Sequence, residues 1–309
     1  MQLLRPYRAV IVAGRTWRKD PGTPPHLSHG APVRCLTLWE PDKKSGYRPL
    51  NRSPDYLPWK EAFSMANVRK KYNYYRREFQ KFRQEVRETL RQDPLEYLQH
   101  GDVKMIFDFR SDPEKNEQWM VTADSDYGHG KSRGHFHVTD RATGMWTGNL
   151  DTRLIEDGYT KAAGYCNLRA PYKMKSFNRD DLYNFTNFTH MIFKVRGDGR
   201  SYMINLQTKG HFDVYWNDLY QYPLYTRGGP YWQYERVPFS KFFFSHKGRI
   251  QDLQDPIELW RIDTVSITCA DQIDGPFQLE IDYIAVEWDA NHREEFAYEL
   301  YAGRKYESH

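Results

Sequence analysis

The sequence predicts an all-β domain, an antiparallel sandwich set behind a basic amphipathic helix. Three observations carry this expectation. From Val103 onward apolar residues recur with a period of two. Roughly ten such segments are separated by turn residues, and no long helical patterns alternate with them as a doubly wound sheet requires.

Met1–Lys19 carries Arg5, Arg8, Arg15, Arg18 and Lys19, and the first acidic residue is Asp20. Basic, acid-free and modestly apolar, residues 1–19 read as a mitochondrial transit peptide, with a disordered basic terminus as the competing reading. Residues 20–59 contain Pro21, Pro24, Pro25, Pro32, Pro41, Pro49, Pro54 and Pro58. Each proline removes a backbone donor and turns its predecessor away from helix, so this stretch reads as an extended linker.

Residues 60–100 form the helical segment. Within Lys60–Asp93, Val68, Tyr72, Tyr75, Phe79, Phe82, Val86 and Leu90 recur at spacings of three and four and make one apolar stripe. Arg69, Lys70, Arg76, Arg77, Lys81, Arg83, Arg87 and Arg91 occupy mainly the remaining faces, and Asp93-Pro94 supplies the stop. Such a helix can lie on an anionic membrane, grip a partner, or pack its stripe on its own sandwich.

Residues 103–289 carry the strands. Met191, Phe193 and Val195 share one strand face and Tyr202, Ile204 and Leu206 another, with the turn signal Asp198-Gly199 between them. Similar segments lie at Met105–Phe109, Trp119–Ala123, His135–Thr139, Tyr165–Arg169, Asp213–Trp216, Tyr231–Pro238, Trp260–Cys269 and Phe277–Trp288, while Tyr220–Tyr231 reads as loop-rich. In the last strand Phe277, Leu279, Ile281 and Tyr283 are odd-numbered, and Ile284, Val286 and Trp288 even. That phase slip predicts a β-bulge or a bend. Residues 290–309 read as a short charged helix around Phe296 and Leu300.

Composition narrows the function classes. Mean hydropathy is −0.86, and no run approaches the roughly 18 apolar residues of a membrane span. Residues 1–100 hold 20 Lys/Arg against 10 Asp/Glu, and residues 101–309 hold 25 against 31, so the basic charge belongs to the N-terminal third. Cys35, Cys166 and Cys269 lie far apart without zinc-ligand spacing. Buried free thiols in a reducing compartment are expected, with a Cys166–Cys269 bridge left open.

The strings that hint at chemistry have simpler explanations. Ser125-Asp-Tyr-Gly-His-Gly-Lys-Ser132 nearly matches a phosphate-binding loop. A serine stands where its first glycine belongs, however, and a strand-like stretch follows where the helix must begin. His135 and His137, with His129 nearby, need converging partners such as His190 or His211 to hold a metal. Arg196-Gly-Asp198 copies an integrin-binding tripeptide that the tight hairpin already explains. Asn184-Phe-Thr186 and Asn187-Phe-Thr189 are glycosylation sequons that matter only in a secretory compartment. No Gly-x-Ser-x-Gly elbow is present. A pair of carboxylates across a cleft, as in a glycosidase, is a question of geometry that counting does not answer. No metal, cofactor or catalytic residue is assigned, and an enzyme is not expected.

Phe107-Asp-Phe109, then Val195-Arg-Gly-Asp-Gly-Arg200 with Tyr202, then Val237-Pro-Phe239 ahead of Gly248-Arg249, then Phe277-Gln-Leu-Glu-Ile-Asp282 with Ile284 follow one another along the chain. In this order and spacing, from about Val103 to Asp289, they resemble the complex I intermediate-associated protein family. The resemblance implies a jelly-roll β-sandwich similar to galactose-binding-type domains, with the helix as an extension ahead of it. It implies an assembly factor for the mitochondrial NADH:ubiquinone oxidoreductase complex, working in the matrix and peripherally associated with the inner membrane. The implied partners are complex I membrane-arm subunits and other assembly factors, such as the evolutionarily conserved signalling intermediate in Toll pathways and an acyl-CoA-dehydrogenase-like factor.

Two readings of the surface follow. As a protein-binding scaffold, the chain offers Tyr215, Trp216, Tyr222, Tyr225 and Trp232 as aromatic anchors. Arg69, Arg76, Arg77, Lys81 and Arg83 would steer it toward membrane or acidic partners. As a carbohydrate-binding module, it offers Trp146, Trp216 and Trp232 as stacking platforms. Nucleic acid is not an expected partner, because the basic helix lacks a reader motif.

Overall fold

The computed structural model describes residues 65–91, 97–110, 118–156, 163–209, 218–246 and 248–298. The transit-peptide and linker segments, the strand expected at Asp213–Trp216 with its anchors Tyr215 and Trp216, and residues beyond 298 lie outside the described residues.

A helix, α1, spans Met65–Arg91. Tyr97–Gln99 have already left it, so the helical segment stops short of residue 100. Fifteen strands follow among the described residues: β1 (Val103–Asp108), β2 (Met120–Ala123), β3 (Arg133–Val138), β4 (Gly144–Leu150), β5 (Cys166–Arg169), β6 (Met174–Lys175), β7 (Arg179–Asp180), β8 (His190–Gly197), β9 (Ser201–Thr208), β10 (Asp218–Tyr225), β11 (Gln233–Pro238), β12 (Phe243–His246), β13 (Arg249–Ile250), β14 (Ile262–Cys269) and β15 (Gly275–Glu287). They build the expected sandwich. A six-stranded sheet runs β11-β8-β15-β4-β3 with β1 also paired to β15, and a seven-stranded sheet runs β13-β12-β10-β9-β14-β5-β2. β6 and β7 form a separate ribbon.

The period of two decides which side chains meet between the sheets. Phe193, Val195, Leu279, Ile281, Ile284 and Val286 from one sheet are buried with Ile204, Leu206, Val265, Ile267 and Leu168 from the other. The hairpin β8–β9 turns where Asp198-Gly199 predicted, and Gly199 takes a left-handed φ of +97° that a side chain would strain.

The phase slip in β15 is a bulge. Its pairing with β8 shifts between Ile281 and Tyr283. At the same place its other edge passes from β4, which ends at Ile281↔Gly144, to β1, which begins at Tyr283↔Asp108. An extra residue on one strand puts two side chains opposite one on its partner, so Asp282 and Tyr283 both address Lys194.

Other expectations are corrected. Asp218–Tyr225, inside the run read as loop, is strand β10. Strands β4 and β12 went unpredicted, and Trp260 sits in a short 3-10 turn rather than a strand. Residues 290–298 are not helical. They pack back on the sandwich, with the Ala297 amide donating to the Ser240 carbonyl at 3.0 Å and the Tyr298 hydroxyl to the Lys241 carbonyl at 2.7 Å. The phosphate-loop lookalike forms a four-residue 3-10 turn and then β3. There the buried Asp124 carboxylate accepts the amides of Ser132 at 2.8 Å and Gly164 at 2.7 Å, filling the place an anion would need.

Candidate interaction surfaces

Each candidate surface is built on outward-facing positions of a rigid element. On the outer face of the six-stranded sheet, Lys194 and Arg196 of β8 lie beside Glu280 and Asp282 of β15. Arg196 Nε donates to Glu280 Oε2 at 2.8 Å, and the Thr143 hydroxyl donates to Glu280 Oε1 at 2.7 Å. Lys194 Nζ lies 2.7 Å from Asp282 Oδ2, and Arg110 takes the other oxygen. Both carboxylates are nearly fully buried. The hydrogen bond to Asp282 holds the Lys194 pKa above its ordinary value despite partial burial.

Aromatic rings roof this ionic network. Trp232 lies 5.1 Å from the Arg196 guanidinium and 5.6 Å from Lys194 Nζ, and the rings of Tyr234 and Tyr283 stand 5.3 and 5.7 Å from the same ammonium. Such contacts orient cation and ring together. Arg196 also donates to the Pro230 carbonyl at 3.2 Å, which ties the β10–β11 crossover loop to the sheet. Around that crossover Tyr225, Tyr231 and Tyr234 are each more than half exposed. Gln233 Nε2 fastens its two ends by donating to the Tyr225 carbonyl at 2.8 Å.

Of the expected anchors, Tyr225 and Trp232 stand at this crossover. Tyr222 does not serve as a surface anchor. It points inward, packs on Phe242 with ring centroids 5.8 Å apart, and burial raises its phenol pKa. Trp146 is fully buried among Tyr202 and Phe277, so it is no stacking platform. Tyr231, Tyr234, Lys194, Glu280 and Asp282 were missed. A signal existed: Lys-x-Arg in one predicted strand and Glu-x-Asp in another complement each other at alternate positions.

The helix forms the second surface. Glu85 accepts the Ser176 amide at 2.5 Å and its hydroxyl at 3.0 Å, and Glu78 accepts the Phe177 amide at 2.8 Å. Burial works against the charge of both carboxylates, but these donors, with Lys81 at Glu78 and Arg179 at Glu85, hold their pKa values below the ordinary range. Phe82 packs on Phe177 with centroids 6.2 Å apart. The rest of the stripe is not packed on the sandwich. Its exposure runs from 40% at Val86 to 81% at Leu90. Arg77 and Lys81 turn toward Glu78, whereas Arg69, Arg76 and Arg83 pair with no described residue. No described helix is long and apolar enough to cross a membrane.

A shallow cleft of about 470 Å³ opens beside Arg236 and the terminal segment, lined by His190, Arg236, Lys241, His292, Arg293 and Glu294. Arg236 is occupied by Glu287 and Asp289, both at 2.7 Å. His190 Nδ1 lies 2.8 Å from the Thr189 hydroxyl. Burial, reinforced by the charge of Arg236, lowers the His190 pKa to about 4, so the ring is neutral at pH 7.

The remaining strings are structural. Arg196 and Asp198 of the adhesion-like tripeptide are engaged within the fold, Asp198 by the Tyr202 hydroxyl at 3.1 Å and the Gln278 amide at 2.7 Å. His135 and His137 stack on the outer side of β3 with centroids 5.7 Å apart. Among the described residues no three His, Cys, Asp or Glu converge on one point. Cys166 and Cys269 face each other across β5 and β14 as free, fully buried thiols, and burial pushes both up to about 12.

A family model described as Complex I intermediate-associated protein 30 (CIA30) matches residues 107–281. The Drosophila melanogaster protein named "Complex I intermediate-associated protein 30, mitochondrial" is 44% identical over 272 residues, covering 87% of this chain and 89% of that relative. The chain belongs to this family. A Caenorhabditis elegans member, named probable complex I intermediate-associated protein 30, is 40% identical over 70% of this chain and 64% of its own length. For the Mus musculus member the figures are 38%, 67% and 62%. Among solved structures, the family 11 carbohydrate-binding module from Clostridium thermocellum, held with a β-1,3-1,4-mixed-linked tetrasaccharide, covers 63% of this chain and 100% of its own. It does so at 16% identity and a TM-score of 0.43, too loose a likeness to carry a ligand across.

Proposed function

We propose that this CIA30-family protein acts in the assembly of mitochondrial complex I as a non-catalytic scaffold. It would bind membrane-arm intermediates and fellow assembly factors on the matrix side of the inner membrane. The observation that carries this is family membership along most of the chain, with relatives whose names state association with complex I intermediates. The crossover between β10 and β11 supports the scaffold reading. Exposed tyrosines on a loop tied down by Arg196 and Gln233 are the kind of pre-ordered aromatic anchors on which protein interfaces concentrate their binding energy.

Blue-native gels of depleted cells test the role. Complex I is expected to stall before the membrane arm is complete while other respiratory complexes accumulate; normal complex I would refute it. Rescue with Tyr231→Ala plus Tyr234→Ala is expected to restore a folded, abundant protein but to weaken co-purification with assembly intermediates, by about 2 kcal/mol or more if these rings are anchors. Undiminished co-purification would remove the crossover from the mechanism.

A further inference from the structure

α1 is fastened to the sandwich along one narrow line. Glu78, Phe82 and Glu85, spaced by four and three, face the turn at Ser176–Arg179. Val68, Tyr72, Tyr75, Phe79, Val86 and Leu90 lie roughly a quarter-turn round from that line at 3.6 residues per turn, and all remain exposed. Arg69, Arg76 and Arg83 repeat at intervals of seven and Arg87 follows four later, so they border the far side of the stripe along its length. Among the described residues none of these four arginines makes an ion pair. The helix holds nine Lys/Arg against three Glu, and two of those Glu, 78 and 85, are committed to the turn. The side away from the sandwich is therefore almost purely cationic.

This charge selects the occupant. A second copy of the helix would bring two arginine rows together, which repulsion opposes. An apolar stripe about 33 Å long by its rise per residue, edged along one side by arginine, fits the boundary between hydrocarbon and phosphate. Arginine stems and tyrosine rings are suited to that boundary, having one apolar and one polar end.

We propose that α1 lies in the plane of a bilayer rich in anionic headgroups. The stripe sinks among the upper acyl carbons, Arg69, Arg76, Arg83 and Arg87 sit on phosphates, and the sandwich is held at the membrane surface. This rests on, and gives a device to, the inner-membrane placement proposed above.

The test uses full-length protein and vesicles of phosphatidylcholine with or without cardiolipin. Binding is expected to be at least about tenfold tighter with cardiolipin. Combined Arg69→Glu, Arg76→Glu and Arg83→Glu should weaken it about a hundredfold, since each basic residue near an anionic surface contributes roughly a factor of five to ten, while thermal unfolding stays unchanged. Residues 1–59 are identical in both proteins, so their charge cancels in the comparison. In separate variants, a Phe79→Trp indole in the stripe should be quenched by brominated acyl chains, whereas Asn73→Trp on another face should not. Headgroup-independent binding, binding unaffected by the triple variant, or an unquenched Phe79→Trp would each overturn the proposal. So would failure to bind any vesicle by a protein that still captures complex I intermediates, which would make the stripe a protein-docking face. The vesicles contain no complex I component, so this result and the blue-native result fail independently.

Discussion

The outer faces of the two sheets satisfy their polar side chains by different chemistry. Across the seven-stranded sheet runs a ladder of uncharged groups. Gln221 Nε2 donates to Asn205 Oδ1 at 2.8 Å, Asn205 Nδ2 donates to Thr268 Oγ1 at 2.9 Å, and the Thr268 hydroxyl donates to Asn167 Oδ1 at 2.9 Å. Across the six-stranded sheet the corresponding outward positions hold ions, Lys194 with Asp282 and Arg196 with Glu280, under aromatic rings. The neutral ladder meets its own hydrogen-bonding needs within the sheet. The ionic face instead lashes a loop of exposed tyrosines to rigid strands, which suits it to docking. Burial alone does not mark a surface as structural; what the buried groups hold in place does.

The sharpest way to break this comparison is Asp282→Ala. It leaves Lys194 and Arg110 without their shared carboxylate, and removing one partner of a buried pair costs about 3–5 kcal/mol. Chemical denaturation reads this directly. A loss below about 1 kcal/mol would place the ions with ordinary surface pairs. Asn205→Ala on the other face should cost less, about 1–3 kcal/mol, because it strands neutral groups. If it proved the costlier of the two, the distinction between the faces would collapse.

The smallest effect concerns His190, beside the ionic face. Its pKa in the fold, about 4, lies below the roughly 6.5 of an unfolded chain. Between those values the unfolded chain binds more protons, so stability falls as pH falls through this window. From pH 7 to 5.5 the loss from this residue is about 1 kcal/mol. Urea titrations of wild type and His190→Gln at both pH values should differ by that slope, and parallel curves would mean the ring titrates freely.

Much of the architecture was legible. Alternation located both strands of the β8–β9 hairpin, Asp198-Gly199 its turn, and the odd-to-even slip after Tyr283 the bulge that aims Asp282 and Tyr283 at one lysine. Strand β10 was obscured because its aromatics, Tyr220 and Tyr222 inside and Tyr225 outside, break the binary pattern, and Pro223 reads as a turn. β4 was obscured because Gly144 and Gly148 dilute its apolar content, leaving Trp146 and Leu150 to fill the core. The helix and its charge were plain, but not the side it turns to the sandwich. Two carboxylates, joined from the apolar stripe by Phe82, make that contact, because backbone amides at Ser176 and Phe177 needed acceptors. The crossover site was half visible: Tyr225 and Trp232 stood out by residue type, whereas Tyr222 is claimed by the core and Lys194 gains its role only from a neighbour 88 residues later.

β15 is the last of the described strands in chain order, yet it lies in the middle of its sheet, bordered by β8 on one edge and by β4 and β1 on the other. β8 already pairs with β11 and β4 with β3, but these two pairs and β1 are joined to one another through β15, so the six-stranded sheet closes through contacts of long sequence separation. The seven-stranded sheet contains no such late member and is complete at Cys269. A stop codon shortly before Gly275 therefore removes the keystone of the six-stranded sheet rather than its margin.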